Sequence, residues 1–456
     1  MEYSSPINQE YTDSPGDMKI TSIIFFSDSY ADAMAVLRIL GPAEASGINV
    51  IRGEDEGIIH FDRITKADIV VIQREFPRHF DVYKKIIAEA HAANIPVVYD
   101  LDDLLFELPP DHPDRLSHLF TEALLPMLQA VIEADLVTVA SPALSSYILR
   151  FNKNVKVIPN FLNDKLWILR PPANNPDTSG FLTIGYMGGH SHKPDLLAIL
   201  PALLSIEKKY HPMIKFHFWG IDAPPELAPF SSVDWCPPKS SAYIDFAEYF
   251  QSQNADLMIA PLQDTEFNRC KSLIKYFEYS TLGIPGIYSK MLPYDAVIED
   301  SVNGMLASTH QEWEQAISRL IEDPDLRLTI SKNAQENIRE KYLLSHNPNI
   351  LKQIYESHAR ILRERRYPRT ALAETLGEIT QQSYEDTLDK QEQLQMLDQD
   401  VSQLQSQIEA LNYKIYQQNM QIDEAQEEIL SYVLSTSWKV TRPLRKLSKI
   451  VKRVAR

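Results

Sequence analysis

Cysteine, glycine and long apolar runs are scarce in this sequence, and each absence excludes a class of protein. Its 456 residues include only two cysteines, Cys236 and Cys270, which build neither a disulfide framework nor a CxxC pair of metal ligands. No uncharged apolar run reaches the ~18 residues that a membrane helix needs, and residues 1–19, which we expect to form a flexible N-terminus, contain no apolar signal-peptide core. We therefore expect a cytoplasmic protein that is neither secreted nor membrane-spanning.

Acidic residues outnumber basic ones, but the two signs are unevenly distributed along the chain. The formal net charge is −17; the last twenty residues contain eight lysines and arginines and no acid, which leaves −25 on residues 1–436. Such an acidic body argues against nucleic acid as a partner, because phosphate backbones bind basic surfaces. The hydrophobic content of 44% is sufficient for globular domains, and the length corresponds to roughly three structural units.

Short β-branched apolar runs alternate with segments of helical periodicity from residue 20 onward, a pattern typical of parallel sheets with crossover helices. They predict two Rossmann-like domains, residues 20–175 and 180–345, joined by a proline- and asparagine-rich linker about which the two halves close. The predicted strands are 20–26, 48–51, 69–72, 96–99, 136–139 and 155–158, then 182–187, 214–219, 256–260 and 284–288. The predicted fold class is therefore α/β, with two Rossmann-like domains facing a cleft.

The C-terminal part of the sequence predicts helices. Residues 346–380 are interpreted as a helical linker and 385–434 as a coiled coil, because from Leu394 onward apolar residues recur at the a and d positions of successive heptads. β-branched residues at a with leucine at d favour a parallel two-stranded assembly, so we expect a homodimer. The alternative is an amphipathic helix that folds onto its own domain.

Residues 437–456 are interpreted as a basic amphipathic tail. Leu444 and Val451 fall on one helical face, with lysines and arginines on the other, after Trp438. Helices of this kind bind anionic membrane surfaces, to which each basic residue adds about 1 kcal/mol. We expect residues 438–456 to attach the protein peripherally to the inner face of the cytoplasmic membrane; docking on the acidic body is the alternative.

A glycine turn follows the predicted first strand of the second domain. Gly188 and Gly189 allow backbone amides to approach a ligand, and the next helix has Lys193 in its first turn, so that its N-terminus adds partial positive charge. His190 and His192 offer further donors to phosphate or sugar. Together these groups predict a diphosphate site; an ordinary tight turn is the alternative.

The most informative stretch of the chain is PLQDTEFNRCKSLIKYFEYSTLGIPGIYS. We predict a helix over 270–281, which would place Lys271, Lys275 and Glu278 on one face. Two lysines one turn apart repel each other unless an anion such as phosphate lies between them. A carboxylate one turn further along accepts hydrogen bonds from ribose hydroxyls. The alternative is a surface salt bridge between Lys275 and Glu278.

Three segments follow one another in the order GYMGGHSHKPDL, APLQDTEFNRCKSLIKYFEYSTLGIPGIYS and PYDAVIEDSVNGML. They resemble the donor half of GT-B fold glycosyltransferases of family 4, the group that builds bacterial surface polysaccharides. Upstream, VVYDLDDLLFELP and ADLVTVASPALSSYIL resemble the acceptor half, so that the resemblance spans residues 20–345. The ending SWKVTRPLR after a coiled coil is similar as well.

The resemblance implies an enzyme that moves a sugar from a nucleotide-diphosphate donor to a glycan or lipid-linked glycan, with retention of configuration and without a metal. The nucleotide sugar is a co-substrate, and no other cofactor is expected. By position, the resemblance also implies that Glu278 binds the ribose, that Lys193 and Lys271 bind the diphosphate, and that Gly188 and Gly189 form the glycine loop.

The sequence departs from the family pattern at two positions. Cys270 stands where the family commonly has a glutamate, eight positions before Glu278, and Tyr186 stands where it often has an arginine. We expect Arg269 and Lys275 to compensate for the missing positive charge. The departures leave open a catalytically silent scaffold, and sugar-nucleotide epimerases and phosphorylases share the two-domain cleft.

Asp100, Asp102 and Asp103 follow a predicted strand of the first domain. A DxD triplet chelates a divalent metal in the other glycosyltransferase architecture, GT-A, but here it lies in the half without the phosphate-binding residues. We predict no metal site, and we expect Asp102 and Asp103, with His112 nearby, to contact acceptor hydroxyls or to serve as the base. Helix caps and loop hydrogen bonds are the alternative.

Overall fold

The computed structural model describes residues 19–172, 180–230, 232–238, 240–364 and 371–454. The predicted flexible N-terminus, 1–19, therefore lies outside the described residues except for Lys19. The chain divides into two compact units, Met1–Gln381 and Gln382–Arg456, and the first unit contains both large sheets.

A six-stranded parallel sheet forms the centre of the first domain. The strands are β1 Ser22–Phe26, β2 Asn49–Arg52, β3 Glu54–Asp55, β4 Ile58–Ile59, β5 Ile69–Gln73, β6 Val97–Leu101, β7 Leu136–Val139 and β8 Val155–Val157. Their order is β2-β1-β5-β6-β7-β8, with β3 and β4 paired separately as an antiparallel hairpin. Every residue of β5 and β7 is buried, as expected for continuous apolar strands inside a sheet that is covered on both faces.

A second six-stranded parallel sheet forms the centre of the second domain. Its strands are β9 Leu182–Met187, β10 Ile214–Trp219, β11 Val233–Cys236, β12 Leu257–Ala260, β13 Gly286–Ser289 and β14 Met305–Ala307. Their order is β11-β10-β9-β12-β13-β14, which is the strand order of dinucleotide-binding folds.

The predicted pair of parallel-sheet α/β domains is confirmed, and β9 and β10 match their predicted bounds residue for residue. Two strands of the second sheet are absent from the prediction. β11 is an edge strand with exposed Asp234 and Trp235, and β14 has only three residues, so neither forms a recognisable apolar run.

Helices connect the strands of both sheets. In the first unit the α-helices are Ala33–Ala35, Gly41–Ser46, Phe80–Ala92, Pro113–Leu116, Leu124–Glu133, Pro142–Ile148, Lys193–Ala198, Leu200–Tyr210, Tyr243–Gln251, Glu266–Arg269, Ile274–Thr281, His310–Glu322, Pro324–Lys341 and Ile350–Glu364. The shorter helical turns, π-helical or 3-10, are Val36–Leu40, Phe61–Lys66, Phe76–Arg78, Leu105–Glu107, His190–His192, Tyr294–Ala296 and Leu344–His346.

The chain passes between the two domains twice, at neighbouring places. Leu162, on the outward passage, donates its N–H to the Tyr342 carbonyl (2.8 Å) and accepts a hydrogen bond from the Leu344 N–H (2.9 Å) on the return. The returning chain forms the helix Ile350–Glu364, whose Tyr355 is buried in the core of the first domain. The first domain is therefore completed by residues from the far end of the second.

The second unit is helical in almost all of its described residues. The helix Ala371–Leu434 begins in the first unit and forms most of the second, and it is followed by Thr436–Val440 and Arg442–Val454. The apolar a and d side chains along the long helix are exposed, from Leu394 (61%) to Ile429 (63%). The predicted long helix is present, while its pairing as a coiled coil stays a prediction.

No helix in the described part of the chain combines the length and the apolar character that crossing a membrane requires.

Candidate functional site

A cavity of about 310 Å³ opens between the two domains at the carboxyl ends of both parallel sheets. Its walls include residues that follow β1 in the first sheet and β9 and β12 in the second, where the strand order reverses. Ligands of doubly wound α/β folds bind at such switch points, because the loops of neighbouring strands diverge there. Of the predicted site residues, those that line the cavity are Asp102, Asp103, Gly188, Gly189, His192, Lys271, Lys275 and Glu278.

The glycine turn after β9 lies close to the neighbouring backbone. A Cβ atom at Gly188 would be 2.7 Å from the Tyr186 hydroxyl, and one at Gly220, where φ is +91°, would be 2.6 Å from the carbonyl oxygen of Gly188. Gly189 instead faces open space at the cavity, so the missing side chain leaves room for a ligand beside its backbone.

Lys275 and Glu278 lie on the helix Ile274–Thr281 and are 7% and 2% exposed. Among the described residues, neither Lys275 Nζ nor Glu278 Oε2 has a hydrogen-bond partner, so the alternative of a surface salt bridge does not describe them. Burial lowers the pKa of Lys275 to about 8 and raises the pKa of Glu278 to about 8. Buried ionisable groups without partners destabilise a fold, and their presence in a cavity is typical of a ligand site.

Lys271 reaches the cavity from a loop, so the predicted helix over 270–281 is wrong in its first part. The hydroxyl of Thr265 accepts a hydrogen bond at the start of a single helical turn, Glu266–Arg269, and the next helix begins only at Ile274. Lys271 and Lys275 therefore do not stand one helical turn apart, yet both line the cavity. The loop brings the two positive charges to one place without the helix that was expected.

His192 and Asp195 form a hydrogen-bonded pair beside the glycine turn. One oxygen of Asp195 lies 3.0 Å from His192 Nδ1, and the other accepts hydrogen bonds from the Gln263 N–H and the Asn268 amide, both at 2.8 Å. Burial opposes the ionisation of Asp195, but the hydrogen bond with His192 helps to lower its pKa. Burial and the nearby charge of Lys275 lower the pKa of His192 to about 3. The pair is therefore a carboxylate and a neutral imidazole.

Lys193 and Arg269, both predicted to bind the donor, do not line the cavity. Lys193 is exposed at the start of its helix. Arg269 is held by Asp264, whose two oxygens accept hydrogen bonds from the guanidinium at 2.8 and 2.9 Å on the surface. The structure thus does not bring the expected compensating charge of Arg269 to the cavity.

The two departures from the family pattern lie behind the cavity wall. Tyr186 is buried, its ring centre lies 5.1 Å from Lys275 Nζ, and its hydroxyl has no hydrogen-bond partner among the described residues. Cys270 is also buried; its carbonyl oxygen accepts a hydrogen bond from Ser141 of the first domain (2.7 Å), and burial raises the pKa of its thiol to about 12. Neither residue presents a charge to a ligand.

The aspartate triplet consists of one structural residue and two cavity residues. Asp100 is buried, and both of its oxygens accept hydrogen bonds from the Arg38 guanidinium, at 2.7 and 3.2 Å. The DxD motif therefore lacks a free first carboxylate. Within the described ranges, no group of three His, Cys, Asp or Glu side chains is arranged to hold a metal ion.

Asp102 is a buried carboxyl at the edge of the cavity. Its Oδ1 lies 3.3 Å from Arg74 Nε, and burial, opposed by the Arg74 charge, raises the pKa of Asp102 to about 7. A carboxyl group that titrates near neutrality exchanges protons readily at physiological pH. The neighbouring Asp103 also lines the cavity.

His112 lies near the cavity without lining it. Its Nδ1 accepts a hydrogen bond from the Asp114 N–H (3.2 Å) and so caps the helix Pro113–Leu116. Its ring meets that of Phe267 edge-on, with the ring centres 5.1 Å apart, and burial lowers its pKa. The structure shows His112 as a helix cap at the contact between the domains.

Comparison with known proteins places the chain by its fold. No protein-family model matches the sequence, and no curated protein matches it. A sucrose-phosphate synthase from Thermosynechococcus elongatus is similar in structure, with a TM-score of 0.53 and 15% identity over 74% of this chain and 98% of that one. HepE of Anabaena, in complex with UDP and glucose, has a TM-score of 0.51 and 17% identity over 75% of this chain and 100% of that one. The predicted GT-B architecture is confirmed, and membership of family 4 stays a prediction.

Proposed function

We propose that the protein is a glycosyltransferase that transfers a sugar from a nucleotide-diphosphate donor to a glycan or lipid-linked glycan. The observation that carries the proposal is the pair of buried, unpartnered atoms, Lys275 Nζ and Glu278 Oε2, at the switch point of a sheet in a GT-B fold. An ammonium and a carboxyl group at this spacing suit a phosphate and a ribose. The complex of HepE with UDP and glucose supports the same class of donor.

In this proposal the donor diphosphate lies between the Gly188–Gly189 turn and the ammonium groups of Lys271 and Lys275. Positive charge placed there stabilises the negative charge that develops on the diphosphate as the sugar leaves. The two lysines supply the charge that a divalent metal supplies in other enzymes, so we propose a metal-independent reaction. Retention of configuration is proposed from the resemblance of the sequence alone.

The acceptor would approach from the first domain. Asp102 and Asp103 line the same cavity as the donor residues, and carboxyl oxygens accept hydrogen bonds from sugar hydroxyls. The carboxyl group of Asp102, with its pKa raised to about 7, is the candidate for exchanging a proton with the acceptor hydroxyl.

An assay with nucleotide sugars tests the proposal. The purified protein is incubated with a panel of UDP-, GDP- and dTDP-sugars and lipid-linked acceptors, with and without a chelator. We expect sugar transfer that survives the chelator, that Lys275→Met removes, and that Lys332→Met, a change of an exposed helical lysine, leaves intact. Epimerised donor would indicate an epimerase, and binding of no nucleotide at all would overturn the assignment as an enzyme.

The second unit suggests how the enzyme is held at its acceptor. Its exposed a and d stripe is apolar, and the helix Arg442–Val454 carries lysines and arginines but no acid. We propose that the stripe pairs with that of a second copy, and that residues 438–456 bind the anionic inner face of the cytoplasmic membrane.

Two measurements on the full chain test this part. Sedimentation equilibrium should give a dimer that Ile408→Lys converts to a monomer, because a charge at an a position opposes pairing. Co-sedimentation with phosphatidylglycerol vesicles, but not with phosphatidylcholine vesicles, should be lost when residues 438–456 are removed. A wild-type monomer, or equal binding to both kinds of vesicle, would contradict the respective proposal.

A further inference from the structure

The position of the proton on His192 follows from its surroundings. Asp195 accepts hydrogen bonds from the Gln263 N–H and the Asn268 amide, as a carboxylate does, so the nearby imidazole nitrogen, Nδ1, carries the ring proton. The other nitrogen of the neutral ring, Nε2, is then a bare acceptor. No described residue forms a hydrogen bond with Nε2, and His192 lines the cavity.

Burial and, after it, the charges of two lysines keep this ring neutral. The turn that carries His192 contacts the helix Pro113–Leu116 of the first domain, and the loop and helix of the second domain bring Lys271 and Lys275 near it. The charged and titratable groups that line the cavity with His192 or lie beside it are Asp195, Lys271, Lys275, Glu278, Asp102, Asp103, Tyr243, Tyr294, His112 and Asp114. The burial of the ring and then the two lysines disfavour a further positive charge.

A diphosphate and the bare Nε2 of this neutral ring cannot form a hydrogen bond with each other. Its oxygens only accept hydrogen bonds, as the bare Nε2 does, so the two would repel each other. The negative charge of the diphosphate, however, offsets the charges of Lys275 and Lys271, removes their share of the opposition to protonation of His192, and itself attracts a proton to the buried ring.

We propose that His192 takes up a proton from solvent on Nε2 when the donor diphosphate binds, and then donates a hydrogen bond to it as an imidazolium, with Asp195 as the positioning residue. The inference rests on the proposed function. No covalent bond forms or breaks in this step: the proton comes from solvent on binding and returns to solvent when the nucleoside diphosphate leaves. Binding is consequently favoured by protons, and affinity falls as the pH rises.

Asp195→Asn separates the role of the charge from the role of the hydrogen bonds. The asparagine oxygen can keep the hydrogen bonds from Gln263 and Asn268, while its amide would donate to His192 Nδ1 and so move the ring proton to Nε2. The neutral ring then donates to the diphosphate without taking up a proton. We expect this variant to bind nucleotide with little dependence on pH.

Calorimetric titration with UDP, and with GDP if UDP does not bind, tests the inference. Each protein is titrated in buffers of different ionisation enthalpy, which gives the number of protons taken up per nucleotide. The variants are His192→Gln, Asp195→Asn and, as a matched control, His190→Gln. The sequence predicts His190 as a further donor to the ligand, but the structure leaves it exposed in the same turn and outside the lining of the cavity, so it serves as the control. Circular dichroism confirms that each variant is folded.

At neutral pH we expect the wild type and His190→Gln to take up about one proton more per nucleotide than His192→Gln or Asp195→Asn. Relative to the wild type, His192→Gln should bind more weakly by up to about tenfold for each unit by which the pH is lowered, and its affinity should approach that of the wild type as the pH rises. Equal proton uptake in the wild type and in both variants would overturn the inference while leaving nucleotide binding, and so the proposed function, in place. If the wild type binds neither nucleotide, the proposed function fails and the inference fails with it.

Discussion

Each domain buries a basic side chain together with an acidic one near the interdomain cleft, Arg38 with Asp100 and Lys275 with Glu278, and the two sets differ in how their polar atoms are satisfied. In the first domain, Asp100 accepts two hydrogen bonds from Arg38 and further ones from Thr138 (2.6 Å) and Gln73 (3.1 Å). The Arg38 guanidinium also donates to the Ile158 carbonyl. Both oxygens of Asp100 and the guanidinium of Arg38 therefore have hydrogen-bond partners within the protein.

In the second domain, Lys275 and Glu278 are also buried, but Lys275 Nζ and Glu278 Oε2 have no hydrogen-bond partner among the described residues. The single hydrogen bond from the Tyr243 hydroxyl to Glu278 is long, at 3.4 Å. Burial disfavours the charged forms in both sets, but only in the first set does the protein supply the hydrogen bonds that offset this cost. We propose that a ligand supplies the missing hydrogen bonds in the second set.

The largest expected effect is on the stability of the fold, through the hydrogen-bonded pair of Arg38 and Asp100. Arg38→Met leaves the buried Asp100 without its counter-charge, which should lower the free energy of unfolding by about 3–5 kcal/mol. Urea unfolding followed by circular dichroism measures it. The double variant Arg38→Met with Asp100→Asn should recover part of the loss, because it removes the unpaired charge. A loss below about 1 kcal/mol would show that the network contributes little.

The second effect is a dependence of stability on pH that arises from Glu278. Its pKa is raised to about 8 in the folded protein from an ordinary value of 4.5, so the folded state binds more protons than the unfolded state between these values. The stability that this proton contributes is fully present below pH 4.5, declines above that by at most about 1.4 kcal/mol per pH unit, and is lost once the pH has risen through about 8. Urea unfolding of the nucleotide-free protein should show this decline in the wild type and not in Glu278→Gln. Parallel pH curves for the two proteins would contradict it.

The third effect is on the proposed ligand. Above pH 8, where the Glu278 carboxyl group is charged, Glu278→Gln should weaken nucleoside diphosphate binding by on the order of 10- to 100-fold, because it removes a charged acceptor from the proposed ribose hydroxyls. Unlike Arg38→Met, it should not destabilise the fold at pH 8. Calorimetry measures the nucleotide affinity of the variant, and urea unfolding measures its stability. A loss of stability with unchanged nucleotide affinity would show that Glu278 is a structural residue like Asp100.

The smallest effect separates two neighbouring basic residues. Lys271→Ala should reduce nucleotide affinity by about tenfold, because the Lys271 side chain lines the cavity. Arg269→Ala should change nucleotide affinity by less than about twofold, because the Arg269 guanidinium is hydrogen-bonded to Asp264 at the surface. Parallel titrations of the two variants give the comparison. A larger loss with Arg269→Ala would restore its role as a compensating charge.

Local patterns in the sequence predicted the two sheets and several of the residues that line the cavity. The apolar run at 182–187 is a strand over its full predicted length, and Gly188, Gly189, Lys275 and Glu278 line one cavity because neighbouring strands end at one edge. These features depend on periodicity and on topology, both of which are visible in one sequence.

Contacts between distant residues could not be predicted in the same way. The helix over 270–281 fits the periodicity, but the buried Asn268 binds Asp195, which is 73 residues away, and the chain forms a loop at Lys271. The role of Asp195 was missed for the same reason, although its spacing from His192 by three residues at a helix start was an available signal. Asp100 looked like part of a cleft motif because its partner Arg38 is 62 residues away.

The two passages of the chain between the domains bear on how the cavity between the domains would open to admit a ligand. The segment that leaves the first domain and the segment that returns to it are hydrogen-bonded to each other through Leu162. We therefore expect the two segments to move together. Swinging the domains apart would turn them about this joint, while the cross-domain bonds at Ser141 and at Asn160, whose amide donates to Ser272 (3.0 Å), would have to separate. The hinge at Leu162 and the hydrogen bonds that join the domains at Ser141 and Asn160 therefore lie in different loops. A substitution in one of these loops can change the rate of opening without altering the other.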